Sequence, residues 1–212
     1  MEKQKLNYYE PCDKAIKAMN RENVEAFGRL KMAKWDEIHV IRTVVTVYRA
    51  SVRKARKRYK TIAHDAYLIG MMLLGEDVQK ARRMADKAIK DAWVDRILDE
   101  TDFVTLYRFN SEAERKAYRL AEQLEVSPNR NQAIDKALKD WSRQLGQYAI
   151  NFTDYAVVQA FEDEGIKEVE WITVEDERRC EECKARHGRV YKIDEIPPKH
   201  YGCRCTLRPV KK

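Results

Sequence analysis

Glycine and proline are scarce in this chain, seven and five among 212 residues. Few positions therefore force a turn or stop a helix, and the remaining mixture, rich in Ala, Lys, Glu and Arg, favours a mostly helical protein with extended polar faces. No apolar run approaches the length of a membrane span, and Met1 is followed by charged and polar residues. Neither a membrane helix nor a secretory signal is expected, and the chain should be made and kept in a cytosol. Catalytic signatures are missing as well. There is no Gly-rich phosphate loop, no nucleophile elbow and no His-Glu-x-x-His helix. Before residue 180 cysteine occurs once, as Cys12, which reads as an unpaired small residue.

What the chain has in abundance is charge: 42 Lys and Arg against 35 Asp and Glu, a formal +7. An excess of this sign suits an anionic partner, nucleic acid or an acidic protein surface, without choosing between them. Three segments follow from the pattern: an N-terminal arm over 1–20, a helical body over 21–165 and a small Cys-rich β module over 166–212. The expected fold class is mainly α, with long amphipathic helices and a small C-terminal antiparallel β module stabilised by zinc.

Within the body, Val24, Phe27, Trp35, Ile38, Ile41, Val45, Tyr48 and Val52 recur mostly at threes and fours, the spacing of one face of a long helix running on toward Gly70. That helix includes a stretch from Arg49 to Lys60 with seven basic residues and no acid. Arg49, Arg53, Arg56 and Lys60 share a face, with Lys57 beside them. The arrangement is either a solvated face or a contact for phosphates or an acidic protein. No helix-turn-helix or finger pattern supports reading of base sequence. Gly70 to Gly75 marks a helix end, and a second helix is expected from Glu76 to Leu98 with Val78, Met84 or Ala85, Ile89, Trp93 and Ile97 inward. Phe103 to Tyr107 reads as a strand or a buried linker, and Ser111 with Glu114 has the form of a capping box. Ser127-Pro128 opens the last helix, whose apolar face runs from Ala133 through Trp141 and Phe152 to Phe161, and Gly165 ends it. Beyond it the period changes to that of strands, at Val169 to Val174, Arg189 to Ile193 and Thr206 to Val210.

Four of the five cysteines lie in the module, as Cys180-x-x-Cys183 and Cys203-x-Cys205, with His187 and His200 nearby. So short a segment cannot bury much of a core, and in a reducing compartment these thiols are better suited to a metal than to disulfides. Two clustered pairs of soft ligands can close a tetrahedron around one structural zinc. The expected set is Cys180, Cys183 and Cys205 with either His200 or Cys203. Cys203 and Cys205 are offset along an extended backbone, which makes joint ligation awkward unless Gly202 turns the chain. His187 is a weaker choice, and His39 and His64 read as ordinary residues.

The segments Gly165-Ile-Lys-Glu-Val-Glu-Trp171, Asp176-x-Arg178-x-Cys180-x-x-Cys183, Gly188-x-Val190-Tyr191 and His200-x-x-Cys203-Arg204-Cys205-Thr206 occur in this order. Together they resemble the signature of phage head morphogenesis proteins, the Mu F-like minor head proteins. Roughly the last 70 residues carry the resemblance. Arg186 departs from it, standing where the family usually has an apolar residue. The resemblance implies a structural protein of the virion that associates with the portal during procapsid assembly in the host cytoplasm. It also implies a place inside the capsid, possible neighbours in capsid or scaffolding protein, and in some members contact with double-stranded DNA. No enzymatic activity is expected, since a closed four-ligand site leaves no open position. The alternative is a zinc-ribbon protein that binds or processes nucleic acid.

Overall fold

The computed structural model describes residues 8–33, 39–90, 104–174, 180–200 and 202–211, with only the backbone described over 104–111. Residues 1–7 of the arm, Trp35, Ile38, Trp93, Ile97, Phe103, Asp176 and Arg178 lie outside these residues. In order, the elements are α1 Glu10–Met32, α2 Val40–Leu73, α3 Val78–Lys90, α4 Val104–Val126 and α5 Arg130–Asp163. They continue with β1 Glu168–Ile172, α6 Glu181–Arg186, β2 Val190–Lys192, a 3-10 turn Ile193–Glu195 and β3 Thr206–Pro209. The fold is thus mainly α with a small antiparallel sheet at the C-terminal end, ordered β2-β1-β3. Among the described residues no helix is long and apolar enough to cross a membrane.

The chain forms two compact units, and α1, α2 and α5 contribute to both. One unit is Asp13–Lys60 with Ala92–Tyr148; the other is Met1–Cys12, Thr61–Asp91 and Ala149–Lys212. α1 begins at Glu10, inside 1–20, and the sheet shares its unit with stretches of α2, α3 and α5.

In the first unit, the single helix expected from Asn20 to Gly70 is two helices. The Ala33 N–H reaches the Leu30 carbonyl at 3.3 Å and the Thr43 N–H reaches the His39 carbonyl at 2.9 Å, so one ladder closes before the next opens. The junction contains neither Gly nor Pro, which is why local pattern did not reveal it. Splitting the helix also shifts its phase. Val24 and Ile41, expected inward, are 58% and 42% exposed, while Met19, Phe27 and Leu30 of α1 and Val44, Tyr48, Val52 and Tyr59 of α2 are buried. A buried polar thread runs through this core. Trp141 Nε1–H donates to Ser51 Oγ at 2.9 Å, and the Ser51 hydroxyl donates to Asn23 Oδ1 at 2.6 Å. Both α4 and α5 begin differently from expectation. α4 starts at Val104 and passes through Ser111, so no capping box forms there, and Glu114 pairs with Arg49 at 2.7 Å. α5 starts at Arg130, just beyond the expected Ser127-Pro128 opening, and Asn129 caps it, its Oδ1 accepting from the Gln132 N–H at 3.1 Å.

In the second unit, both long helices end as expected at glycines. Gly75 and Gly165 have φ of 92° and 76°. Their N–H groups reach Met72 and Glu162, and the next residues, Glu76 and Ile166, reach back to Met71 and Phe161. This is the paired terminus that satisfies otherwise orphaned carbonyls and favours a residue without a Cβ. Gly70, inside α2, allows close helix contact: a Cβ there would sit 2.7 Å from Ala160 Cβ. α3 buries alanines 81, 85 and 88, and Val78 is 49% exposed instead of inward. Asp77 caps α3 by accepting from the N–H groups of Gln79 and Lys80 at 2.9 and 3.0 Å. β1 turns Val169 and Trp171 inward, and Leu207 of β3 joins them. Across β1 and β3, Glu170 is paired in register with Arg208, and the two side chains form an ion pair.

Candidate metal centre

The cysteine and histidine side chains converge because three local structures aim them at one point. Cys180 sits at the N-cap of α6, its sulfur accepting from the Cys183 N–H at 3.3 Å, which puts the two thiols of the Cys-x-x-Cys pair on the same side of the first turn. Gly202, at φ 71°, turns the chain after His200, and the Cys203 N–H closes that turn on the His200 carbonyl at 3.1 Å. Cys205 follows immediately before β3 and is buried, as are Cys183 and Cys203.

Two groups of potential donors result, Cys180, Cys183 and His200, and Cys183, Cys203 and Cys205, each with its ligand atoms within 4.8 Å of one another. Cys183 belongs to both. His200 Nε2 lies 3.3 Å from Cys180 Sγ and 3.0 Å from Cys183 Sγ, and Cys183 Sγ lies 3.7 Å from Cys203 Sγ. A tetrahedral zinc site with ordinary bond lengths has edges of about 3.8 Å between sulfurs and about 3.6 Å between sulfur and nitrogen. The cluster therefore fits a small tetrahedral ion after slight expansion. The cavity it surrounds measures about 30 Å³, room for a single ion or water and too little for an organic substrate.

The four sulfurs differ in their electrostatics. The Cys183 N–H holds the Cys180 thiol below its ordinary range, and the hydrogen bond from Cys203 does the same for Cys205. Burial pushes Cys183 up, and the hydrogen bond to Cys205, followed by burial, pushes Cys203 up. The buried Trp171 Nε1–H has no hydrogen-bond partner, and its indole helps to lower the Cys205 thiol. An unpartnered donor beside a sulfur is what a bound thiolate would satisfy.

His187 lies apart from the cluster chemistry. Its Nδ1 accepts from the Thr173 N–H at 3.1 Å and lies 2.8 Å from Thr173 Oγ1. Arg186 is accommodated by stacking: its guanidinium lies 5.1 Å from the centre of the Trp171 ring, donates to the Pro198 carbonyl at 3.1 Å and pairs with Glu182. The flat cation covers the indole as an apolar side chain would.

Sequence reasoning missed the polar network next to the cluster. Lys199 Nζ donates to Asp154 Oδ1 and Tyr9 Oη, each at 2.6 Å, and to the Cys205 carbonyl. Its side chain is 4% exposed and that of Asp154 16%. The Tyr8 hydroxyl donates to Asp154 Oδ1 at 3.1 Å, and the rings of Tyr8, Tyr9 and Trp171 lie 5.3–5.7 Å from the ammonium. Burial, then the Asp154 charge, pushes both tyrosine hydroxyls well up, so they remain protonated donors. Tyr9 and Lys199 are 190 positions apart, and no local pattern links them.

The second predicted site, the basic stripe, lies on α2. Arg49, Arg53, Lys57 and Lys60 are exposed and Arg56 is half-buried. The stretch is acid-free in sequence but not in space, since Glu114 pairs with Arg49 and Glu22 with Arg58. Of the 42 basic and 35 acidic residues, 23 and 15 fall in the unit that holds this stripe, leaving 19 and 20 in the unit that holds the cysteine cluster. The positive excess of the chain therefore resides in the stripe-bearing unit.

Comparison with curated proteins and with solved structures returns no significant match. The profile of the phage Mu protein F-like family matches residues 28–208, from within α1 to the last strand. A match over most of the chain, ending on the Cys-rich module whose motifs carried the resemblance, identifies the chain as a member of the phage Mu F-like head morphogenesis family.

Proposed function

We propose that this protein is a structural minor component of the phage head that associates with the portal during procapsid assembly and remains inside the capsid near it. The observation that carries this reading is the extent of the family match, which takes in both the helical elements and the Cys-rich module. In this reading the protein has no turnover of its own. The helices supply the assembly surface, and zinc, held by Cys180, Cys183, His200 and a sulfur of the Cys203 and Cys205 pair, cross-links the loops of a module whose core is small. The exposed cations of α2 contact packaged DNA through its phosphates or an acidic surface on the portal, capsid or scaffolding protein. Concentration of the charge excess in one unit supports an anionic partner for that unit.

The decisive experiment is co-expression with the portal protein of the same genome, followed by copurification. Stable association supports the reading. Salt-sensitive duplex binding without portal affinity would support the alternative of a zinc-containing nucleic-acid-binding protein, and metal-dependent cleavage would support a processing enzyme. Replacing Arg53, Arg56, Lys57 and Lys60 together by Gln should weaken partner binding while leaving the thermal midpoint nearly unchanged, because three of the four are exposed and Arg56 is only half-buried, and such charges contribute little to stability. Unfolding of that variant would contradict the solvent-facing role assigned to the stripe.

A further inference from the structure

The loop that carries His200 and Cys205 is held by something other than the cluster itself. Lys199 directly precedes His200, and all three of its N–H donors are used: on Asp154 of α5, on the Tyr9 hydroxyl and on the Cys205 carbonyl. One ammonium therefore fixes the backbone at two candidate ligands. The Tyr9 hydroxyl also lies 2.8 Å from the Cys205 carbonyl and 3.0 Å from Asp154 Oδ1, so the N-terminal tyrosine shares the same two acceptors. Trp171 joins the two sites physically, with its ring near Lys199 and its unpartnered N–H near Cys205. Tyr8, Tyr9, Asp154, Trp171, Lys199 and the cluster all belong to one compact unit.

We propose that Lys199 is a positioning residue for the metal centre, and that its network with Asp154, Tyr8 and Tyr9 couples occupancy of that centre to docking of the N-terminal Tyr8-Tyr9 segment. The proposal rests on the cluster being a metal site. An ion held through His200 and the sulfurs beside Cys205 fixes Lys199 and the Cys205 carbonyl where the tyrosines meet them. Docked tyrosines in turn hold the ligand loop in the geometry the ion needs. The coupling is reciprocal, so metal tightens docking by the factor by which docking tightens metal binding.

The test uses full-length protein, with zinc affinity measured by competition against a chromophoric chelator and the site also read with cobalt(II). Lys199→Met should weaken zinc binding by about 10–100-fold, the usual effect of removing a group that orients ligands, and Tyr9→Phe by less. The cobalt absorption bands of Lys199→Met should shift. In Ser51→Ala, a destabilising change in the other unit, they should not, which separates positioning from loss of stability. Adding zinc to chelated wild-type protein should slow hydrogen exchange in the peptide containing Tyr8 and Tyr9. The proposal is overturned if Lys199→Met keeps wild-type affinity and spectrum, or if exchange at that peptide ignores zinc. Failure of the wild-type protein to bind zinc at all would overturn the metal reading and this proposal together.

Discussion

Because Cys183 belongs to both donor groups, its removal should be the most damaging single change at the metal centre. Cys180 and His200 form one group with it and Cys203 and Cys205 the other, so Cys183→Ser removes the sulfur that the two groups share. A structural zinc contributes about 10–16 kcal/mol through four ligands, hence roughly 3 kcal/mol per ligand and about a 100-fold loss of affinity for one that nothing replaces. Cys203→Ser and Cys205→Ser differ in kind, since each leaves a second sulfur of the same pair near Cys183. Their losses should be smaller, on the order of 10-fold, at the cost of moving the remaining thiolate. Chelator competition at fixed pH gives the affinities, and thiolate-to-cobalt charge-transfer intensity counts the sulfurs bound. Equal losses for Cys183→Ser, Cys203→Ser and Cys205→Ser would refute the reasoning, as would a Cys183→Ser protein that keeps its zinc and its charge-transfer intensity.

Ser51→Ala should lower the thermal midpoint by several degrees. It orphans Trp141 Nε1–H and Asn23 Oδ1 in a buried core, at about 1–3 kcal/mol for each group and about 2–4 °C per kcal/mol; a midpoint within 1 °C of wild type in calorimetry would show the thread to be dispensable, to about that precision. Gly70→Ala sets about 1 kcal/mol of helix propensity against about 1–3 kcal/mol of overpacking. Because the clash is with Ala160 and the backbone at Val157, which cannot swing aside, chemical denaturation should show net destabilisation, and a more stable variant would mean that the helices separate easily. Asp77 has its carboxyl pKa lowered, first by the Lys80 N–H, so its cap is fully present above the unfolded carboxylate pKa and is lost as pH falls through the lower folded value. Asp77→Ala should therefore speed amide exchange at Gln79 and Lys80 at neutral pH, with the difference fading in acid; a pH-independent difference would implicate something other than the charge.

The parts legible in the sequence were those set by neighbours along the chain. Gly75 and Gly165 end helices because a left-handed residue is needed there, alternation at Val169 and Trp171 makes a half-buried strand, and the spacing of Cys180 with Cys183 suits a helix start that turns both sulfurs one way. The five candidate ligands were recognisable for the same reason, although α6, which presents two of them, was not foreseen. Tertiary structure decided what depends on distant partners. It broke the first long helix without a glycine or proline, turned Val24 and Ile41 outward, and placed Glu114 and Glu22 against a stripe that looks acid-free in sequence. It also brought Tyr9 to Lys199 across 190 positions and made Ser51 the link between Trp141 and Asn23. A buried donor or charge must find a partner wherever the fold can supply one, and that partner is chosen by packing in three dimensions, where sequence separation carries no information.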